Sequence, residues 1–136
     1  MREILFRGKS ANPKEWCCGF YLILNNYSYI IPDDVKLTQD GIEMYHVESE
    51  TVGQYTGFDD KNGNKIFEGD IVSICNSKTF SFIVYWNHAV KSFILKSTVN
   101  GGNGIDCNVL DSTQDIEVIG NIYDNPELLE GVINNG

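Results

Sequence analysis

The chain has 136 residues, 42% apolar and 21% charged, with a formal net charge of −9. That length suits one domain with a core of its own, and those proportions exclude a chain disordered throughout. No run approaches the roughly 18 apolar residues of a membrane-spanning helix, and the charged start Met1-Arg2-Glu3-Ile4-Leu5-Phe6-Arg7 does not read as a secretory signal, so a soluble, cytoplasmic protein is expected.

The predicted elements are strands separated by short turns. Residues 3–7 form the first. Residues 16–24, Trp16-Cys17-Cys18-Gly19-Phe20-Tyr21-Leu22-Ile23-Leu24, are almost continuously apolar, which suits a strand covered on both faces. Asn25-Asn26 offers a tight turn into Tyr27–Ile31, and Pro32-Asp33-Asp34 stops that strand. Short strands follow at 42–47, 51–56 and 70–75. The Asn62-Gly63 pair predicts a type I′ hairpin tip. Residues 80–86 alternate, with Phe80, Phe82, Val84 and Trp86 on one face, and 91–96 return as the hairpin partner. Asn100-Gly101-Gly102-Asn103-Gly104 is read as a flexible loop. Residues 116–122 alternate again, with Ile116, Val118 and Ile122 on one face. Only the end looks helical: Asn125 as N-cap, Pro126 at the first position, Leu128 and Leu129 docking the turn and Gly131 ending it. The expectation is an all-β fold, a small antiparallel barrel or sandwich with one short C-terminal helical turn. It is a single domain over 1–136, divisible into an N-terminal segment (residues 1–50) and a barrel core (residues 51–125).

The charge is unevenly spread. Residues 1–31 sum to +2, residues 32–96 to −4, and residues 97–136 carry seven acids and no base. A surface this acidic repels phosphate backbones, so nucleic acid is an unlikely partner. The basic start and the acidic end can attract each other, within one chain or between two copies.

Chemical motifs are sparse. Cysteines at 17, 18, 75 and 107 lack zinc-type spacing, and adjacent Cys17 and Cys18 point to opposite faces of a strand, so all four are read as reduced thiols. Aligning Gly63 with the sixth position of a calcium loop puts Phe58 and Gly69 where carboxylates are needed, so no metal is expected there. The glycines at 101–104 lack the lysine and helix of a phosphate loop. A nucleophilic pair of Cys75 or Cys107 with His46 or His88 is the only evident enzymatic constellation, and four cysteines with two histidines offer such pairs by chance. Glu68 and Asp70, flanking Gly69, are read as turn residues that stay solvated. A base-stacking platform needs aromatics interleaved with Lys and Arg, and Phe6-Arg7-Gly8-Lys9 alone has that form.

Three stretches together resemble the YopX family of phage and prophage proteins. They are Arg2-Glu3-Ile4-Leu5-Phe6-Arg7-Gly8-Lys9 with Trp16 and Gly19; the block from Thr51-Val52-Gly53-Gln54-Tyr55-Thr56-Gly57 through Asn62-Gly63-Asn64-Lys65-Ile66-Phe67-Glu68-Gly69-Asp70-Ile71-Val72; and Ile116-Glu117-Val118-Ile119-Gly120-Asn121-Ile122-Tyr123 with Asn125-Pro126-Glu127-Leu128 after it. Phe58 stands where the family commonly has Leu. The resemblance implies a small β-rich phage or prophage protein of the bacterial cytoplasm with no enzymatic activity, so it assigns no catalytic, cofactor or metal residue. Gly69-Asp70-Ile71-Val72 also looks like the start of a strand in SH3-like barrels, a likeness of fold that carries no function. The expected role is a protein-binding or self-assembling module forming homo-oligomers. The alternatives are a nucleic-acid-binding small barrel and an enzyme of unrecognised type using Cys and His.

Overall fold

In this computed structural model the described residues are 3–75, 81–98, 106–110 and 115–129, with backbone alone for 106–109. The chain forms two compact units, Met1–Tyr55 and Thr56–Gly136. The strands in chain order are β1 (Phe6–Lys9), β2 (Trp16–Leu24), β3 (Tyr27–Pro32), β4 (Leu37–Thr38), β5 (Gly41–Ile42), β6 (Tyr45–Val47), β7 (Gly53–Asp59), β8 (Lys65–Phe67), β9 (Asp70–Ile74), β10 (Ser81–Asn87), β11 (Ser92–Ser97), β12 (Asp106–Val109) and β13 (Ile116–Asn121). Two 3-10 turns, Ser49–Thr51 and Pro126–Leu128, are the only helical elements among the described residues. The expected loop at 100–104 and the stop at Gly131 lie outside the described residues, as does Phe80.

In the first unit the antiparallel order is β6-β3-β2-β1, followed by the start of β7. Leu24 pairs with Tyr27 across Asn25 (φ 52°) and Asn26 (φ 68°), a type I′ turn whose twist matches that of the strands it joins. One sheet face is buried at its centre, where Ile30 at 0% exposure and Val47 at 1% anchor it, while Ile23 and Tyr45 on the same face are 61% and 40% exposed. Here Gly8 is required by close approach, since a Cβ would stand 2.8 Å from the Val47 Cγ2. The chain leaving β6 is tied to β1 by Glu48 N–H donating to the Lys9 carbonyl (2.9 Å) and Lys9 N–H donating to Thr51 Oγ1 (2.8 Å). Buried Ser28 bonds both Tyr21 (3.0 Å) and Ser49 (2.8 Å) through its hydroxyl.

Three expectations need correction here. The first strand is Phe6–Lys9 and not 3–7; Leu5 is buried, but Ile4 stands exposed before the ladder begins. The 42–47 strand breaks after Ile42 and resumes at Tyr45. The apolar run 16–24 is a strand as expected, but it is not covered on both faces: Phe20, Ile23 and Leu24 are 50%, 61% and 48% exposed.

In the second unit the sheet order is β12-β11-β10-β9-β13, antiparallel throughout. This sheet is open, with β12 and β13 at its edges, so the fold is one of antiparallel sheets and not a closed barrel. Ile66, Val72, Val84, Phe93, Leu95, Leu110 and Ile116 form the core, and Phe82 and Trp86 pack on it with Val84 as their alternation requires. The β13 alternation is interrupted: its register with β9 shifts between Val118 and Gly120, a bulge that leaves Ile119 exposed.

The turn at 60–64 differs from the type I′ expectation. Gly63 alone has positive φ (85°), and the loop closes by Gly63 N–H to Asp60 carbonyl (3.0 Å) and Asp60 N–H to Asn64 carbonyl (2.7 Å). The reason is the Asp60 side chain, which accepts the N–H groups of Asn62 (2.9 Å), Asn64 (2.9 Å) and, across to β13, Val118 (3.0 Å). Asp70 was expected to stay solvated, yet it is 1% exposed and accepts the Phe67 N–H at 2.8 Å, bracing the turn from β8 to β9. Asn125 does not cap the final 3-10 turn with its side chain; its Oδ1 accepts the Asn121 N–H instead (3.1 Å).

Candidate functional site

The first unit presents the site. In an antiparallel pair, residues directly opposite share a face and successive residues alternate. Arg7 lies opposite Cys18 and Lys9 opposite Trp16. Phe20 lies opposite Ile31, Leu22 opposite Tyr29 and Leu24 opposite Tyr27, and Tyr29 is opposite His46. These residues therefore occupy the face turned away from Ile30 and Val47. It is rich in exposed apolar and aromatic groups, Phe20 (50%), Leu24 (48%) and Tyr27 (56%) above all. In the second unit, by contrast, the exposed large apolar residues among those described are Val90 and Ile119.

Cations mark one end of this face. The Arg7 guanidinium lies 4.6 Å from the centroid of the Trp16 ring and the Lys9 ammonium 5.7 Å from it, within reach of the ring's negative faces. At the other end His46 meets Tyr27 edge-on (5.4 Å) and Tyr29 at a tilt (5.5 Å). Strands β1, β2, β3 and β6 contain no Asp or Glu at all, in a chain with nineteen. Their alternation keeps the two cations together, because Arg7 and Lys9 are two residues apart.

Beside this face is a cleft of about 580 Å³, lined by Ser10, Asn12, Glu15, Trp16, Cys17, Asp33, Asp34, Tyr45 and His46 among others. Burial, and then the Glu15 carboxylate, push the Cys17 thiol above its ordinary range. A raised thiol is a poorer nucleophile at neutral pH, because less of it is thiolate. Tyr45 donates to the Glu43 carboxylate, and that bond is the foremost reason its phenol is also pushed up, helped by the negative charge of Glu43 and Asp34. Neither group is prepared for proton transfer near neutrality.

The Cys/His candidates are not assembled among the described residues of the second unit. Cys75 is exposed just after β9, with φ 55° and its N–H on the Asp115 carbonyl (2.9 Å). His88 follows the far end of β10, since Ser81 at the start of that strand pairs with Ser73. Seven strand residues, about 23 Å of extended chain, separate the two positions. Cys107 sits on β12 between Asp106 and Asn108, with its side chain outside the described residues. His46 belongs to the aromatic face of the first unit, and His88 lies 6.4 Å edge-on from Trp86. Cys17, Cys18 and Cys75 are reduced thiols. Among the described residues no three His, Cys, Asp or Glu side chains form a group able to hold a metal ion.

Asp60 is the acid with the clearest electrostatic signature, and it serves the fold. Burial alone would raise its pKa, but the amides of Val118, Asn64 and Asn62 outweigh burial and hold it below the ordinary carboxylate value. Both oxygens are engaged by N–H donors, as Asn64 Nδ2 also approaches Oδ2 at 3.4 Å.

Sequence reasoning missed the outer face because its cations and its aromatics come from different strands. The Phe6-Arg7-Gly8-Lys9 alternation was the available signal; the partner ring, Trp16, is supplied by the register of β1 with β2. No helix among the described residues is long and apolar enough to cross a membrane.

No curated protein matches the chain. Among solved structures, the crystal structure of protein EF1440 from Enterococcus faecalis is similar at 26% identity and a TM-score of 0.56, covering 96% of this chain and 100% of that one. The model of the family described as YopX protein matches residues 5–130, a span that takes in the thirteen strands and two 3-10 turns of the described residues. The chain belongs to the YopX family.

Proposed function

We propose that this YopX-family chain is a non-enzymatic phage or prophage protein that works in the bacterial cytoplasm as a protein-binding or self-assembling module. The observation that carries the reading is the outer face of the first unit's sheet. It leaves Phe20, Leu24 and Tyr27 about half exposed on one surface, and contiguous apolar surface of this kind rimmed by polar groups marks interaction sites. The raised Cys17 thiol and the separation of Cys75 from His88 give no support to the enzymatic alternative.

Binding of single-stranded nucleic acid is a second reading, favoured by Arg7 and Lys9 standing over Trp16 beside further aromatic rings. The net charge of −9 opposes it. The deciding experiment is light scattering on the full chain at about 100 μM, with and without Phe20→Ser, alongside a low-salt gel shift with single-stranded and duplex DNA. Concentration-dependent mass that Phe20→Ser abolishes supports self-assembly through this face. A monomer leaves a partner protein as the occupant. A tight DNA complex in about 150 mM salt overturns the protein-binding reading.

A further inference from the structure

Among the described residues β13 ends the second unit's sheet, paired with β9 on one side and with no strand on the other. A bare edge of this kind is a template for strand addition by another chain. The hydrogen-bonding groups of an antiparallel strand alternate between its two sides. Cys75 N–H donates to the Asp115 carbonyl (2.9 Å) and, past the bulge, Ile122 N–H donates to the Gly69 carbonyl (3.0 Å). Asp115, Glu117 and Ile122 therefore direct their groups to the β9 side, and Ile116, Val118 and Asn121 direct theirs away from it.

Those outward groups are met by residues of two turns. Lys61 N–H donates to the Ile116 carbonyl (2.9 Å), Asp60 Oδ2 accepts the Val118 N–H (3.0 Å), and Asn125 Oδ1 accepts the Asn121 N–H (3.1 Å). In a parallel ladder, one residue donates its N–H to the carbonyl before its opposite number and accepts the N–H after it. Around Glu117 the dipeptide Asp60-Lys61 does the same, with a carboxylate in the carbonyl's place. The likeness extends to the side chains, since Lys61 Nζ lies 3.7 Å from the Glu117 carboxylate, as a cross-strand partner would. Asp60 is buried, and the N–H groups of Asn62 and Asn64 hold its carboxylate in that position.

We infer that residues 60–61 are a built-in edge cap, which occupies the pairing edge of β13 and so keeps it from pairing with β13 of a second copy. The second copy is the occupant excluded because this edge is self-complementary. Two β13 strands related by a two-fold axis run antiparallel, and the Ile116 carbonyl of each then meets the Val118 N–H of the other. Glu117 faces its own copy in that pairing, and this like charge guards the same edge a second time. The cap belongs to the second unit and is independent of the protein-binding reading of the first unit's outer face.

The test is light scattering in a Phe20→Ser parent, in which association through that outer face is weakened, so the two readings fail separately. Two variants open the cap. Asp60→Asn replaces the acceptor of the Val118 N–H. Lys61→Pro removes the donor to Ile116 and keeps the turn: Lys61 is the second residue of a β-turn closed by Gly63 N–H on the Asp60 carbonyl (3.0 Å), a position that proline favours. At about 100 μM in about 0.5 M salt, which screens Glu117 from its copy, both variants should gain mass towards a dimer, with a self-dissociation constant at least about tenfold below the parent's. In Asp60→Asn the Val118 amide should exchange faster than in the parent in dilute solution and slow as the protein is concentrated. Adding Val118→Pro removes an N–H that β9 does not use and should restore the monomer. Variants that keep the parent's circular dichroism and also its mass overturn the inference. So does association that Val118→Pro leaves untouched, or a Val118 amide whose exchange does not respond to concentration, because either result places the contact away from β13.

Discussion

The two units of this chain share a strand-and-turn grammar but differ in what their sheets bury. In the second unit, Val72, Val84 and Leu95 are at 0% exposure within a cluster of seven buried apolar residues. In the first, Ile30 and Val47 are comparably buried on one face, while Phe20, Leu24 and Tyr27 stand out on the other. Apolar content alone does not separate them, since β2 is as hydrophobic as any strand of the second unit. The difference is whether anything covers the second face of the strand. A sheet with one apolar face uncovered gives up some of the stabilisation that burial of the second face would add, about 25 cal/mol per Å² of apolar surface.

The largest effect expected from this contrast is in the second unit's core. Leu95→Ala removes a side chain at 0% exposure and should cost about 3 kcal/mol through lost burial and the cavity left behind. Urea denaturation checks it, and a loss below about 1 kcal/mol would show that this core is loosely packed.

A comparable loss is available in the first unit at a backbone contact. A Cβ at position 19 would lie 2.0 Å from the Ile31 carbonyl oxygen, so Gly19→Ala has to separate β2 from β3 and should cost about 2–3 kcal/mol. If the melting temperature does not move, the β2–β3 ladder contributes less to stability than its pairing suggests.

Asp60→Asn should cost about 2 kcal/mol at neutral pH, because an amide in place of the carboxylate turns an N–H donor towards the N–H groups it must satisfy. The pH dependence has a definite sign. The folded-state pKa of Asp60 is lowered, so its stabilisation is complete above the unfolded value near 3.9 and is lost as pH falls through the folded value. The gap between wild type and variant should therefore be constant from neutrality to about pH 5 and close in more acid solution. A gap that persists unchanged at pH 2 would show that charge is not what Asp60 contributes.

The smallest stability change belongs to the outer face. Phe20→Ser should shift unfolding by no more than about 0.5 kcal/mol, the usual range for an exposed position, while weakening association through that face. A loss of 2 kcal/mol or more would mean that Phe20 is packed in the isolated chain, and the contrast between the two units would fall with it.

Much of the fold was legible in local pattern. The alternation of Phe82, Val84 and Trp86 placed them on the core side of β10, and Asn25-Asn26 supplied the two positive φ angles of a tight hairpin. Those features depend on neighbours two to four residues away, which is the range over which side-chain period and backbone sterics act. The candidate site was barely legible. Its one local sign was Arg7 and Lys9 spaced two apart, and nothing local places Trp16 under them or His46 beside Tyr27.

What the amino-acid sequence determined by itself is the all-β class, the position of most strands and turns, the acidic balance and the family. What the tertiary structure alone decided is which surfaces are covered. A nine-residue apolar run is equally compatible with burial on two faces or on one, and the choice falls to β6 and the turn after it, which close over the Ile30 side and leave Phe20 outside. The same holds for the acids: Asp60 is charged and buried because the Val118 amide, 58 residues further along, is brought to it by sheet pairing. Solvation and burial are properties of contacts between distant segments, and local sequence carries no measure of them.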